Sequence, residues 1–297
     1  METQASLQRK LNGATDLKSV VRSMKAMAAA NIDQYELAVS SLGDYYRAVS
    51  LGIIAYFRQE KINVITDQKQ FKGNNEKSIY AVVFGSDQGL VGQFNDSLAE
   101  FVSQKLNKIP GKKEIWAIGE RVQLLLSDIG YNTTQLFPVP NSVNAITPLA
   151  RQILMKSEEI FDKGNATEVY IFHNKPKSRA GYEPVIQRIL PLDEKWRQSL
   201  TELKWPTKLL PQVIGGIKPT LLALIHAYLF TTLFKACAES LASENASRLA
   251  AMQRAEKNID ELLDDLTRQF HSLRQSSIDE ELFDVVSGYE MLSKSHS

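Results

Sequence analysis

The segment with the clearest potential for chemistry is a glycine-rich loop, GSDQGLVGQFN, over residues 85–95. It follows an apolar run and precedes an amphipathic stretch. Phosphate-binding loops occupy this position because the following helix points its free backbone N–H groups at the ligand. However, Gly85, Gly89 and Gly92 do not match the G-x-G-x-x-G spacing, and no Gly-Lys-Ser/Thr triplet follows. We interpret the loop as a tight structural turn rather than a nucleotide site.

The other reactive side chains form no recognisable catalytic or metal-binding set. Adjacent carboxylates such as Asp264 and Asp265 would point about 100° apart on a helix, so they could not act on one substrate together. The single cysteine, Cys237, excludes an intrachain disulfide and has small apolar neighbours. The histidines lack the spacing of metal ligands and are His173, His226, His271 and His296. We expect no catalytic residue, metal or cofactor, and therefore a protein that is not an enzyme.

The composition is that of an ordinary globular protein. The 297 residues are 43% hydrophobic and 23% charged, with a net charge of +1. Such a balance predicts no general attraction to nucleic acid or to anionic lipid. The N-terminal residues lack the apolar core of a signal peptide, and no uninterrupted apolar run reaches the roughly 18–20 residues that span a bilayer.

Proline is confined to the middle of the chain. All ten prolines lie between Pro110 and Pro219, so residues 1–109 and 220–297 are permissive for very long helices. The N-terminal arm has a seven-residue apolar repeat, formed by Ala28, Ile32, Tyr35, Val39, Leu42, Tyr46, Val49, Ile53 and Tyr56. The C-terminal arm has a similar repeat, formed by Leu249, Met252, Ile259, Leu263, Leu266, Phe270 and Leu273. Glu256 is the one polar break in this second repeat.

Both repeats predict helices that pair along one stripe, as in a coiled coil. The first arm is basic near its start and the second is acidic, so opposite charges would help the arms to find each other. Because the arms are the two ends of one chain, the economical pairing is with each other, in the antiparallel sense. A homodimeric coiled coil or an ordinary helical bundle remains open on this pattern alone. After Leu273 the apolar spacing slips, with Ile278, Leu282 and Val285 next, so we expect this last segment to face something other than the N-terminal arm.

Strands and helices alternate between the arms. The predicted strands cover residues 78–85, 114–119, 134–139, 167–174 and 183–192, the last two antiparallel. The predicted helices cover 95–107, 120–130 and about 144–162, with Asn95 or Asp96 as the cap of the first. This alternation predicts a mainly parallel, Rossmann-like sheet. The whole fold is thus α/β, a long antiparallel coiled coil (residues 1–60 and 206–292) with an inserted Rossmann-like domain (residues 75–195).

Three segments resemble the γ subunit of F-type ATP synthases. They are LKSVVRSMKAMAAA (17–30), VVFGSDQGLVGQFN (82–95) and residues 241–292, beginning LASENASRLAAMQ. They occur in the family's order and cover nearly the whole chain. The sequence is also similar to γ subunits of the alternative, N-type and sodium-translocating branch. Asp279 stands where the family usually has threonine.

The resemblance implies a non-catalytic rotor subunit that couples ion translocation to ATP synthesis or hydrolysis. Its partners would be the α and β subunits of the catalytic head, the ε subunit and the membrane c-ring, and it would lie on the cytoplasmic face of a bacterial-type inner membrane or on a thylakoid membrane. The residues carried over as contacts to the catalytic head are Met24, Lys25, Arg274, Gln275 and Glu281. Two other functions remain open, a coiled-coil scaffold with an α/β domain and a nucleotide-dependent α/β enzyme.

Overall fold

The computed structural model describes residues 3–59, 78–162, 168–177, 181–192, 194–201 and 216–294, with a few single residues between 203 and 213. Two helices, α1 (Gln4–Gln59) and α6 (Ile217–Lys294), are 56 and 78 residues long. The chain divides into two compact units. The terminal unit contains residues 1–27 and 249–297, and the body unit contains residues 28–248.

The body unit contains a five-stranded sheet with the strand order β3-β2-β1-β4-β5. All neighbouring strands are parallel except β4 and β5, which are antiparallel. The elements are β1 (Ser78–Phe84), α2 (Phe94–Leu106), β2 (Lys112–Ile118), α3 (Glu120–Asp128), β3 (Thr133–Phe137), α4 (Val143–Asp162), β4 (Glu168–Pro176), β5 (Tyr182–Leu190) and α5 (Glu194–Thr201). The predicted fold class is confirmed, and α5 is an element that the sequence pattern did not predict.

The sheet buries both of its faces, which explains why its central strands are continuously apolar. Successive residues of β1 alternate between two cores. Val82 and Phe84 pack with the residues of α1, α4 and α6, whereas Ala81 and Val83 pack with those of α2 and α3. Helices α2 and α3 therefore cover one face, and α4 covers the other together with the two long helices.

The apolar repeats predicted for the two long helices form the seam between them, which is largely buried in the body unit and partly buried in the terminal unit. In the body unit Tyr35, Val49 and Ile53 of α1 belong to the main core, beside Tyr228 and Leu233 of α6. The terminal unit has a small core of its own, made of Leu7, Ala14 and Leu266 with Leu11, Leu263, Phe270 and Leu273 packed against it. In each unit residue numbers rise along α1 as those of its partners in α6 fall, from Asn31–Asn245 to Tyr46–Tyr228 in the body unit. The predicted antiparallel pairing is therefore present.

In the described part of the chain, α6 alone contains a stretch that could cross a membrane by length and composition. The window has a mean hydropathy of 1.6, and 56% of it is buried within the protein. Its apolar residues, including Leu229 and Leu233, belong to the main core. This burial accounts for their apolar character.

Gly85 permits the close approach of β1 and α3. A β-carbon at this position would lie 2.3 Å from the Cβ atom of Val122, which is far inside van der Waals contact. We expect Gly85→Ala to lower the free energy of unfolding by about 1–3 kcal/mol, because a packed core resists an added methyl group. Denaturant unfolding of the full chain measures this change.

Gly89 is the matched control in the same loop, since a β-carbon there would meet nothing within 4 Å. Gly89→Ala should leave the unfolding midpoint almost unchanged. Equal effects of the two substitutions would show that the approach of α3 does not depend on Gly85.

Candidate functional site

The loop between β1 and α2 is held closed by its own side chains. The Ser86 backbone N–H donates to Asn95 Oδ1 at 3.0 Å, and Asn95 Nδ2 donates to Ser86 Oγ at 2.8 Å. The Ser86 hydroxyl in turn donates to the Gln88 carbonyl at 2.8 Å. The predicted cap is therefore wrong: α2 begins at Phe94 without a side-chain cap, because Asn95 is committed to Ser86.

A carboxylate of the loop occupies the N-terminus of helix α3. Asp87 Oδ1 accepts a hydrogen bond from the Glu120 backbone N–H at 3.1 Å, and Asp87 Oδ2 accepts one from the Val139 N–H at 3.0 Å. Helix N-termini attract anions, and phosphate-binding loops use this property to hold a ligand. Here the anion at α3 comes from the chain itself. The arrangement favours the interpretation of the loop as a structural turn.

Helix α6 covers the carboxyl ends of the central strands with a row of serine hydroxyls. Ser240 donates to the Phe84 carbonyl at 2.9 Å, and Ser243 donates to the Asn174 carbonyl at 3.0 Å. Ser247 donates to the Val91 carbonyl, and the spacing of three and four residues places all three serines on one helix face. Rossmann-like sheets bind ligands at this edge. In this protein α6 occupies it.

Two titratable side chains that are buried near this edge, His173 and Glu239, pair with each other. His173 Nε2 lies 2.9 Å from Glu239 Oε2, and both side chains are buried. Burial opposes ionisation of Glu239, but its hydrogen bond and charge interaction with His173, together with the nearby Lys235 and Lys175, outweigh burial and lower the pKa of the carboxyl. Burial raises the pKa of the Cys237 thiol, which matches its predicted role as a packed residue.

The terminal unit contains a charged cluster between α1 and α6. Glu256 accepts hydrogen bonds from Arg22 Nε at 2.8 Å and from Lys25 Nζ at 2.5 Å. One turn further along α6, Asp260 pairs with Lys18. The hydrogen bonds from Lys25 and Arg22 lower the pKa of Glu256 to about 2. The polar break in the C-terminal seam is thus a cross-helix ion pair.

All five predicted contact residues belong to the terminal unit. Met24 and Lys25 are partly exposed on α1, and Lys25 already has Glu256 as a partner. On α6 the residues Arg274, Gln275 and Glu281 are exposed. The structure thus leaves the C-terminal residues open to a partner and engages Lys25 internally.

The last part of α6 extends beyond the residues that pack on α1. The core of the terminal unit ends at Leu273, and every residue from 274 to 286 is exposed. Leu282, Phe283 and Val285 are 65%, 73% and 71% exposed, although they are large and apolar. The change in apolar spacing after Leu273 coincides with the end of the packing contact between α6 and α1.

A second group of exposed apolar residues was missed by sequence reasoning. Leu17, Val20 and Met27 of α1 are 59%, 56% and 66% exposed and flank Met24. Their spacing of three, four and three residues places them with Met24 on one stripe beside the seam. An apolar stripe that is out of phase with the seam is the signal that could have identified them.

The described fold defines a class of protein in which a long N-terminal helix pairs with a long C-terminal helix. An α/β domain is inserted between these helices in the sequence. The model of the ATP synthase family matches residues 3–292. The ATP synthase gamma chain of Clostridium pasteurianum is 27% identical over 292 residues, which are 96% of this chain and 97% of that protein. The gamma chain of Clostridium botulinum strain Kyoto is 26% identical, with 96% of each chain covered.

Solved structures show the same fold. A chain of the Euglena gracilis mitochondrial ATP synthase (OSCP/F1/c-ring) is 17% identical, with a TM-score of 0.65 over 97% of this chain and 94% of that one. A chain of the central stalk/c-ring structure from Tetrahymena thermophila is 19% identical, with a TM-score of 0.55 over 80% and 99%. The chain belongs to the ATP synthase gamma family. Its function is that of the gamma subunit, the rotor of the central stalk.

Removal of the Asp87 carboxylate tests its role at α3. We expect Asp87→Ala to lower the free energy of unfolding by about 0.5–2 kcal/mol, because an exposed carboxylate that accepts from two backbone N–H groups, one of them at the start of α3, is lost. Asp128→Ala is the control, since Asp128 lies exposed at the other end of α3 and should change little. Denaturant unfolding compares the two variants, and an equal loss in both would contradict this role.

The lowered pKa of Glu256 gives a pH dependence with a defined sign. The carboxylate stabilises the pairing of α1 and α6 above its ordinary pKa of about 4.3, and this stabilisation is lost as the pH falls from there towards about 2. Carboxyl chemical shifts measured by NMR should show Glu256 still ionised at pH 3. A Glu256 carboxyl that is already protonated at pH 3 would contradict the assignment.

Proposed function

We propose that this chain is a non-catalytic rotor subunit whose α6 terminus contacts the catalytic head of an ATP synthase. The observation that carries this proposal is the exposed apolar segment of α6 over residues 274–286. Exposed apolar surface of this kind marks an interaction site. Arg274, Gln275 and Glu281 lie on the same segment, beside Leu282 and Phe283. These polar side chains would give the contact its direction and specificity.

The proposed partners follow from the family. They are the α and β subunits of the head, the ε subunit and the membrane c-ring. The Euglena structures are titled as OSCP/F1/c-ring and rotor assemblies, and the Tetrahymena structure as central stalk and c-ring. Association with such a complex makes the chain a peripheral membrane protein. We propose the cytoplasmic face of a bacterial-type inner membrane as its place, and the sodium-translocating branch stays a prediction.

Coupling requires that the catalytic sites respond to the angle of the rotor. A rotor influences a site only as far as its contacts differ between conformations of that site. The terminal unit presents different chemistry on different faces, with an apolar stripe at Leu17, Val20 and Met27 and ion pairs at Lys18 and Arg22. Each angular position would therefore offer a given catalytic subunit a different surface.

Side chains of the protein itself occupy the edge of the sheet where the carboxyl ends of the central strands lie, and this supports a non-catalytic role. Asp87 holds the α3 N-terminus, and the serines of α6 bond to the ends of β1 and β4. A ligand at this edge would have to displace both groups. These contacts argue against the nucleotide-dependent enzyme that the sequence left open.

The contact is tested by Arg274→Ala combined with Gln275→Ala in the reassembled complex. We expect ATP hydrolysis coupled to ion pumping to fall several-fold, because charged and polar contacts at a packed interface cost about 1–3 kcal/mol when removed. The circular dichroism of the isolated chain should stay unchanged, since both residues are exposed.

Arg268→Ala is the matched control for this experiment. Arg268 is an exposed arginine of the same helix, and its partner Asp265 lies on that helix too. The control should retain coupled activity. Unchanged coupling in the double variant would refute the contact. Failure of the tagged chain to co-purify with catalytic subunits would refute the rotor role itself.

A further inference from the structure

The body unit contains a polar cavity of about 300 Å³ beside the antiparallel strands β4 and β5. The residues that line it come from α1, β4, β5 and α6. Part of its wall is buried, including His173, Thr232 and Glu239. Lys175 and Lys235 line the same cavity but stay in contact with solvent, so they mark its opening. A concave site that combines this size with a few convergent polar groups is suited to a small ligand.

The charged side chains that line the cavity carry an excess of positive charge. Among its described lining residues they are Lys175, Lys235 and Glu239, two cations and one carboxylate. Lys235 Nζ lies 3.9 Å from Glu239 Oε1, at the outer limit of an ion pair. Lys175 forms no ion pair within the described part of the chain, although its charge helps to lower the pKa of Glu239. Glu183, the register partner of Lys175 on β5, pairs with Lys177 instead.

His173 adds an unsatisfied polar atom to this site. Its Nε2 lies 2.9 Å from Glu239 Oε2, and Nε2 donates the proton because the lowered pKa of Glu239 keeps that carboxyl ionised at neutral pH. Nδ1 of the neutral ring is then an acceptor, and it is buried without a hydrogen-bond partner among the described residues. Buried polar atoms are rarely left unpaired, so an unpaired acceptor on a residue that lines a polar cavity indicates a bound donor.

We propose that this cavity binds free hydrogen phosphate, with Lys175 and Lys235 holding its charged oxygens and His173 Nδ1 accepting a hydrogen bond from its P–OH group. Lysine is a common phosphate ligand because it supplies a compact positive charge. Free phosphate retains a proton at neutral pH, so it offers both the charge and the donor. A phosphate ester loses its last proton near about pH 6, which leaves it without a donor for Nδ1.

Bound phosphate would connect the sheet to α6. Lys175 belongs to β4 and Lys235 to α6, so an anion held by both lysines adds a link beside the hydrogen bond between His173 and Glu239. A ligand that binds only the folded chain also stabilises it. The site lies within the body unit, and its existence does not depend on the rotor function proposed above.

Histidine ring signals measured by NMR on the full chain test the site directly. In a titration with sodium phosphate at constant ionic strength, the signals of His173, identified by their absence from His173→Gln, should shift and saturate. Those of His226 should stay in place, since His226 is exposed and pairs with Glu158 outside the cavity. Sulfate has a similar shape but no proton to donate at neutral pH. It should bind about tenfold more weakly, because the buried acceptor stays unpaired.

Lys175→Gln removes one charge from the opening and leaves the buried wall intact. We expect phosphate to bind this variant about tenfold more weakly, because a charge-assisted contact is lost. Lys108→Gln is the matched control. Lys108 is an exposed lysine that follows α2, and α2 packs on the other face of the sheet. The control removes the same charge and should leave the dissociation constant of phosphate nearly unchanged.

Several results would overturn the proposal. His173 signals that do not move with phosphate would exclude the site. Equal losses of affinity in Lys175→Gln and Lys108→Gln, or equal affinities for phosphate and sulfate, would indicate a general attraction of anions to the surface. Tighter binding of glycerol phosphate than of free phosphate would contradict the choice of ligand. None of these measurements involves the catalytic head, so the rotor function is tested separately.

Discussion

A helix of 56 or 78 residues persists in water only when it buries a stripe of its surface, because helix propensity alone gives little stability. The antiparallel pairing of α1 with α6 supplies this burial in both units of the protein. In the body unit the stripe is strongly apolar, with Ile53 and Leu233 fully buried. In the terminal unit the stripe has few buried apolar residues, and between Ala14 and Met27 the contacts from α1 to α6 include ion pairs. The rest of the structure depends on this partnership.

Helix α6 has a second task in the body unit. Its serines bond to the ends of the central strands, so the helix that pairs with α1 is also fixed to the sheet. From Thr220 to Ser287 its sequence contains neither glycine nor proline. Helix α6 therefore carries both the serines that bond to the sheet in the body unit and the exposed segment of the terminal unit.

The sequence predicted what depends on local periodicity. The two seams, the five strands and the slip after Leu273 follow from spacings within one element, and the structure has them all. The sequence did not predict the role of Asp87, whose two partners lie 33 and 52 residues away, or the serine row, whose bonds reach 69 to 156 residues along the chain. The cap at Asn95 was wrong because its side chain bonds to Ser86 at the start of the same loop instead of capping α2.

The choice of ion pairs in the terminal unit has a physical logic. Residues 23–30 of α1 are mostly small, so the seam there offers little apolar surface to bury. Larger apolar residues would strengthen the pairing, but they would widen the contact and would still repeat every seven residues. Ion pairs add little stability at exposed positions, but they need no large side chain at the seam. The body unit buries a strongly apolar seam along the same two helices, so the terminal unit can pair them through few buried apolar residues, and Glu256 takes one of these seam positions as a cross-helix ion pair.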